Sequence, residues 1–199
     1  AQMRGYYREE GLDAAVRLHR GGKLALQDVL EGKADFATTA ETPFMFAVMR
    51  GEKISVIATI LKSNLINAIV ARRDRGINAL GDLKGRKVAT TPGTTLDYFL
   101  DATLGAHGIS RKEVTIVDLK VEEAPKALER GDVDAASTFH PFSAIAQEKL
   151  GANGITFHGR DIYTTTFNVV AKKEFIRQNP QKVKKTLRAL LKADEFVRQ

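Results

Sequence analysis

Cysteine is absent from the 199 residues. Disulfides, thiolate catalysis and cysteine-held zinc are excluded with it, and the chain is compatible with an oxidising compartment. Long apolar runs are absent too. Phe44 to Met49 and Ile54 to Leu61 are the longest, far short of the roughly 20 residues that cross a bilayer. The opening Ala1-Gln2-Met3-Arg4-Gly5-Tyr6-Tyr7 has no apolar core of the kind a secretory leader requires. His19, His107 and His158 are scattered without ligand spacing, so neither a metal nor another cofactor is expected. No phosphate-binding glycine loop, zinc finger, RNP-type strand or helix-turn-helix is present, and no Ser-His-Asp arrangement stands out from spacing.

What is present fits one larger globular domain or two small ones, with 43% apolar and 28% charged residues. The net charge of +7 gathers near the C-terminus, where Lys172, Lys173, Arg177, Lys182, Lys184, Lys185, Arg188, Lys192 and Arg198 meet only Glu174, Asp194 and Glu195. These basic residues are spaced around a helix with its own apolar stripe, which reads as a solvated face rather than a nucleic-acid surface. No nucleic-acid partner is expected.

One stretch repeats. Leu128 to Phe142 echoes Leu30 to Phe44: aligning Gly32 with Gly131 places Asp35 on Asp134, Thr38 on Ser137 and Thr39 on Thr138, and a Pro-Phe pair closes each copy. Each copy reads as a helix stopped by glycine, a turn with Asp, then a short apolar strand that runs out into hydroxyl residues. Open α/β sheets place ligands at such strand ends. A helix–Gly–Asp–strand joint is also a common device that recurs by chance. Around the repeat, periodicity predicts a helix tail over 1–10, a strand over 12–18 and a short helix over 24–30. A wholly apolar and therefore buried helix is expected over 44–49, with strands over 54–61, 65–71, 86–91, 114–119, 133–138 and 167–171. Helices are expected after Thr94, over 122–130, over 142–150 and from Pro180 on. The chain begins and stops inside apparent helices, so it reads as part of a longer protein.

In this order the residues resemble the periplasmic substrate-binding proteins of nitrate, sulfonate and taurine ABC transporters, the group related to the THI5-like proteins. The resemblance rests on Gly5-Tyr6-Tyr7 with Glu10-Gly11-Leu12-Asp13, on Gly32-Lys33-Ala34-Asp35-Phe36-Ala37, on the block Leu80 to Ala89 followed by Gly93, and on Ala127-Leu128, Gly131 to Ala135 and Pro141. It implies a two-lobed α/β fold of the type II periplasmic-binding kind, each lobe a mostly parallel sheet flanked by helices. Residues 1–64 with 167–199 would form one lobe and 65–163 the other, joined by crossovers near 61–67 and 160–167. The family's usual first strand and site loop precede Ala1, and it commonly continues past Gln199. The implied setting is periplasmic or extracytoplasmic, with a small-molecule ligand, a membrane permease as partner and a monomeric receptor.

An anion needs oriented donors, and a helix N-terminus supplies them. Thr91, Gly93, Thr94 and Thr95 offer such an end, although Thr94 as an ordinary N-cap accounts for the same residues. Thr38, Thr39 and Thr42 would answer from the other lobe, or serve as turn and cap residues. Thr138, Phe139 and His140 stand at the second strand end. Ser63, Asn64, Thr164, Thr165 and Thr166 fall near the crossovers, where they would reach a cleft or satisfy the backbone of two bent strands. Glu41 suits an ammonium group or an exposed loop. The leading reading is capture of a small anionic or zwitterionic solute between the lobes for an ABC importer. The alternatives are a ligand-sensing domain of a signalling protein, the effector domain of a transcription regulator, and a pyrimidine-synthesising enzyme. The enzymes of that resemblance carry a cysteine-rich motif that this chain lacks, so no catalytic residues are expected.

Overall fold

The computed structural model describes residues 1–198. The chain divides into two compact units. The first holds residues 1–40, 44–60 and the chain from Phe167 on, and the second holds 41–43 and 61–166.

The first unit opens with a short helix, α1 (Tyr6–Glu9), followed by α2 (Gly22–Leu30), β1 (Ala37–Ala40) and α3 (Glu41–Met49), whose first three residues belong to the second unit. β2 (Ile54–Ser63) begins here and runs into the second unit, and β8 (Thr165–Lys172) returns from it. α7 (Lys173–Gln178) and α8 (Pro180–Arg198) complete the chain. The sheet runs β1-β8-β2, with β1 antiparallel to β8 in the register Ala37 to Val170 through Ala40 to Phe167. Its core gathers Leu26 and Val29 of α2, Ala37 of β1, Ala47 of α3, Ile54 of β2 and Val170 of β8. α8 is tied to α1 by Arg188 on Glu10 (2.6 Å) and Lys192 on Glu9 (3.1 Å) and Glu10 (2.9 Å).

The second unit is a five-stranded sheet. Its strands are β3 (Asn67–Arg72), β4 (Lys87–Thr90), β5 (Thr115–Asp118), β6 (Ala135–Phe139) and β7 (Gly154–His158), in the order β5-β4-β6-β3-β7. α4 (Thr95–Ala106), α5 (Ala124–Arg130) and α6 (Phe142–Leu150) connect β4 through β7 in turn. Successive strand residues point to opposite faces, and the two faces have separate cores. Ile69, Ala71, Val88 and Ala135 pack with Phe99, Leu100 and Leu104 of α4. Val70, Ala89 and Ala136 pack with Ala127 and Leu128 of α5 and Ala146 and Leu150 of α6. A sheet covered on both faces needs apolar residues at consecutive positions, which Ala68 to Ala71 provide.

Several sequence expectations change here. In the five-stranded sheet four strands run one way and β3 is reversed: β4 is parallel to β5 and β6, but β3 is antiparallel to β6 and β7. Strand–helix–strand connections keep β4 to β7 in one direction, whereas β3 arrives from β2 through three residues with no helix to reverse it. Leu12 to Leu18 forms no strand among the described residues, and Leu18 stays 90% exposed. α3, apolar on every side, is only partly buried: Ala47 is inside, while Met45, Val48 and Met49 are exposed. β7 and α7 were not anticipated, although the Ile155–Thr156–Phe157 alternation is a strand signal.

Candidate functional site

β1 ends at Ala40, whose extended backbone leads directly into α3. Glu41 therefore takes the first helical position, where unpaired N–H groups and the helix dipole favour a carboxylate. Neutral donors hold its oxygens. Oε2 accepts from the Thr166 N–H at 2.7 Å and from the Thr166 hydroxyl at 3.3 Å. Oε1 accepts from the Thr42 hydroxyl at 3.1 Å, from the Tyr163 phenol through a short bond, and from the Thr95 hydroxyl at the long distance of 3.5 Å. Among the described residues no lysine, arginine or histidine pairs with Glu41. The group is a half-buried carboxylate with a full set of hydrogen bonds and no counter-ion.

Tyr163 is placed by the loop before β8. Its N–H donates to the Gly159 carbonyl at 2.9 Å, and Gly159 lies so close to the Phe99 ring that a methyl group there would come within 2.4 Å of it. The tyrosine ring sits 5.4 Å from Tyr98 and 6.1 Å from Phe99, forming an aromatic wall beside Glu41. Burial, and then the Glu41 hydrogen bond, push the Tyr163 phenol above its ordinary pKa, so it remains protonated and acts as a donor.

The start of α4 is largely self-satisfied. The Gly93 N–H donates to Asp97 Oδ2 at 3.1 Å, and the Leu96 N–H donates to the Thr94 hydroxyl at 3.3 Å. The Thr94 hydroxyl donates to the Thr91 carbonyl at 2.6 Å, and the Thr91 hydroxyl to the Leu119 carbonyl at 2.7 Å. Asp97 is in turn held by Arg111 at 2.7 Å. The cap role of Thr94 is thus realised, and a carboxylate of the chain itself occupies the glycine donor.

The strand ends differ in kind. Thr39 and Thr138, matched by the internal repeat, are both fully buried with hydroxyls that have no hydrogen-bond partner among the described residues, as are those of Thr90 and Thr103. Ser137 donates to the Leu96 carbonyl at 2.7 Å, while Thr38 is exposed. Phe139 packs edge-on against Phe142 at 5.7 Å. His140 is exposed, and its backbone N–H donates to the Ile66 carbonyl. Thr165 accepts from Asn67 Nδ2 at 2.8 Å, Ser63 accepts from the Leu65 N–H, and Asn64 donates to the Arg160 carbonyl.

In the second unit, then, Thr42, Thr95 and the neighbours of Thr165 are brought together around Glu41. Thr38 and Thr39 belong to the first unit. Sequence reasoning placed Thr166 near a crossover and passed over Tyr98, Tyr163 and Asp97. Only Asp97, in the first turn of a capped helix, left a local signal; Tyr163 reaches Glu41 across more than a hundred residues of chain. Among the described residues no cluster of three or more His, Asp or Glu could hold a metal. The chemistry on offer is hydrogen bonding from hydroxyls, one carboxylate and aromatic contact.

An α/β chain with two helix-flanked sheets and hydroxyl residues at strand ends has the fold of the type II periplasmic binding proteins. The periplasmic aliphatic sulphonate binding protein SsuA from Escherichia coli superposes with a TM-score of 0.84 at 22% identity, over 99% of this chain and 67% of that one. The chain belongs to the NMT1/THI5-like family, whose pattern matches residues 1–199. A Bacillus subtilis (strain 168) protein named for binding aliphatic sulfonates is 29% identical over 189 residues, 94% of this chain and 56% of its own length. The THI5 4-amino-5-hydroxymethyl-2-methylpyrimidine phosphate synthase of Saccharomyces cerevisiae (strain ATCC 204508 / S288c) is 23% identical over 211 residues, 99% of this chain and 61% of its own length. The chain therefore spans about 60% of the length of the curated relatives it matches. No helix among the described residues is long and apolar enough to cross a membrane.

Proposed function

We propose that the chain is the ligand-binding part of an extracytoplasmic receptor that captures a small anionic or zwitterionic organic solute, of the sulfonate class, for an ABC importer. The observation that carries this reading is the pair Thr39 and Thr138. Two residues matched by the internal repeat, at the carboxyl ends of β1 and β6, keep buried hydroxyls without partners. Buried polar groups are normally satisfied, and those left open at strand ends in an α/β fold are suited to a ligand. The sulfonate-binding name of the Bacillus relative and the SsuA fold support the same class.

The pyrimidine-synthase activity of the yeast relative is not carried over. The resemblance attaches that chemistry to a cysteine-rich motif, and this chain has no cysteine. The site is therefore one of capture and release, without turnover.

Calorimetry with ethanesulfonate, taurine, nitrate, bicarbonate and a hydroxymethylpyrimidine tests the proposal. Saturable binding of a sulfonate, with the solute recovered unchanged, is the expected result. Binding of the pyrimidine alone, or chemical conversion of any solute, overturns it, as does failure of every solute to bind.

A further inference from the structure

At the start of α4 the Gly93 N–H is taken by Asp97, a carboxylate of the chain itself. α3 opens with Glu41, and α4 carries Asp97 in its first turn. α2 has no acidic residue in its first turn and carries Lys23 there. Its only carboxylate, Asp28, lies six residues further on, engaged by Arg17 at 2.9 Å and His19 at 3.0 Å. No side chain caps α2: the residue before it is Gly21, in an extended conformation. Among the described residues the Gly22 and Lys23 N–H groups have no partner, the first capping bond being Leu24 N–H to the Gly21 carbonyl at 3.1 Å.

A second observation points at the same place. The unpartnered Thr39 hydroxyl is fully buried directly beneath the helix start: a methyl group on Gly22 would lie 3.0 Å from Thr39 Oγ1 and 2.7 Å from Thr39 Cα. Glycine is required at 22 for β1 to approach this closely. The approach sets the Thr39 hydroxyl against the first turn of α2, beside the residue that carries the first free N–H. Gly21 and Lys23 are exposed, so the helix start is open to a solute.

We propose that the N-terminus of α2 is an oxyanion subsite, in which the Gly22 and Lys23 N–H groups and the Thr39 hydroxyl hold a sulfonate or carboxylate group. Aligned N–H groups and the helix dipole favour negative charge there, and the hydroxyl gains the partner it lacks. The proposal rests on the solute-binding reading and refines it. It moves the anion-holding role from the Thr91 to Thr95 loop to residues of the first unit.

The test is a titration of the protein with ethanesulfonate and, separately, propionate, followed by amide chemical shifts and calorimetry. The Gly22 and Lys23 amides should shift with saturation, and whichever probe binds more tightly assigns the head group. Thr39→Val should weaken binding about tenfold while the ligand-free protein melts no lower than the parent, because the substitution removes no hydrogen bond. Thr39→Ser should retain the affinity. If ethanesulfonate binds but moves only amides near Thr94 to Leu96, the subsite is refuted and the solute-binding reading stands. Parental affinity in Thr39→Val refutes it as well. If Thr39→Val does not fold, the parent amide shifts decide. If neither these probes nor any solute of the wider panel binds, the solute-binding reading fails, and the subsite with it.

Discussion

Glu41 illustrates how one residue organises its neighbourhood. Its carboxylate is held by several hydroxyl and amide donors instead of one ion pair, and bonds to charged groups contribute about 1.5–3 kcal/mol each. Glu41→Gln exchanges one acceptor oxygen for an NH₂ group, which cannot accept from the Tyr163 phenol or the Thr166 N–H. We expect a loss of about 2 kcal/mol by chemical denaturation, in the range for a buried partner left unsatisfied. Tyr163→Phe removes one donor of several and should cost about 1 kcal/mol. If Glu41→Gln were as stable as the parent, the carboxylate would not be what ties Thr42, Tyr163 and Thr166 together.

At the scale of elements, burial separates helices of similar composition. α4 faces the core of the second unit with Leu96, Phe99, Leu100 and Leu104, all nearly inaccessible. Leu100→Ala should cost about 2–5 kcal/mol, the range for a large-to-small change in a packed interior. Val48→Ala on the exposed side of α3 should stay within about 0.5 kcal/mol. Equal effects of the two in urea unfolding would contradict the described packing. The α1–α8 contact carries a pH dependence. Arg188 and Lys192 hold the Glu10 carboxyl below the ordinary glutamate range. A carboxylate depressed on folding stabilises above its unfolded pKa, and that contribution is lost as pH falls through the folded one. Acidification from pH 6 to below about 4 should therefore loosen α8, seen as faster amide exchange near Arg188 and Lys192. Glu10→Gln should exchange quickly in α8 already at pH 6 and change less on acidification.

For the molecule as a whole, the two units differ in how their sheets are covered. β3 has cores on both faces and neighbours on both edges. β2 is the edge of a three-stranded sheet, with Val56 and Ile60 exposed. Opening free energies follow local burial and hydrogen bonding. Amides of Ala68 to Ala71 should therefore be among the slowest to exchange, and those of Val56 to Ile60 markedly faster. Comparable protection in both strands would mean that β2 is covered by something beyond the described residues.

Much of this protein was determined by local sequence. The strand–helix alternation from β4 to β6, the Thr94 cap on α4 and the paired strand ends at Thr39 and Thr138 follow from hydrophobic period, hydroxyl placement and glycine stops, all short-range properties. Local sequence did not decide strand direction: β3 reads like its neighbours and is reversed only because of how the chain arrives. It could not tell an apolar helix that is buried from one, like α3, that keeps Met45 and Met49 exposed. Nor could it make a strand of Leu12 to Leu18, since a strand exists only through a paired neighbour. The site shows the same limit. Thr42 and Thr95 were legible as hydroxyls near helix starts, but their meeting at Glu41 with Tyr163 and Thr166 is a product of tertiary structure. So is the approach of Gly22 to Thr39, because contacts between residues distant in the chain are set by how the sheets and helices pack, a property no single stretch of sequence contains.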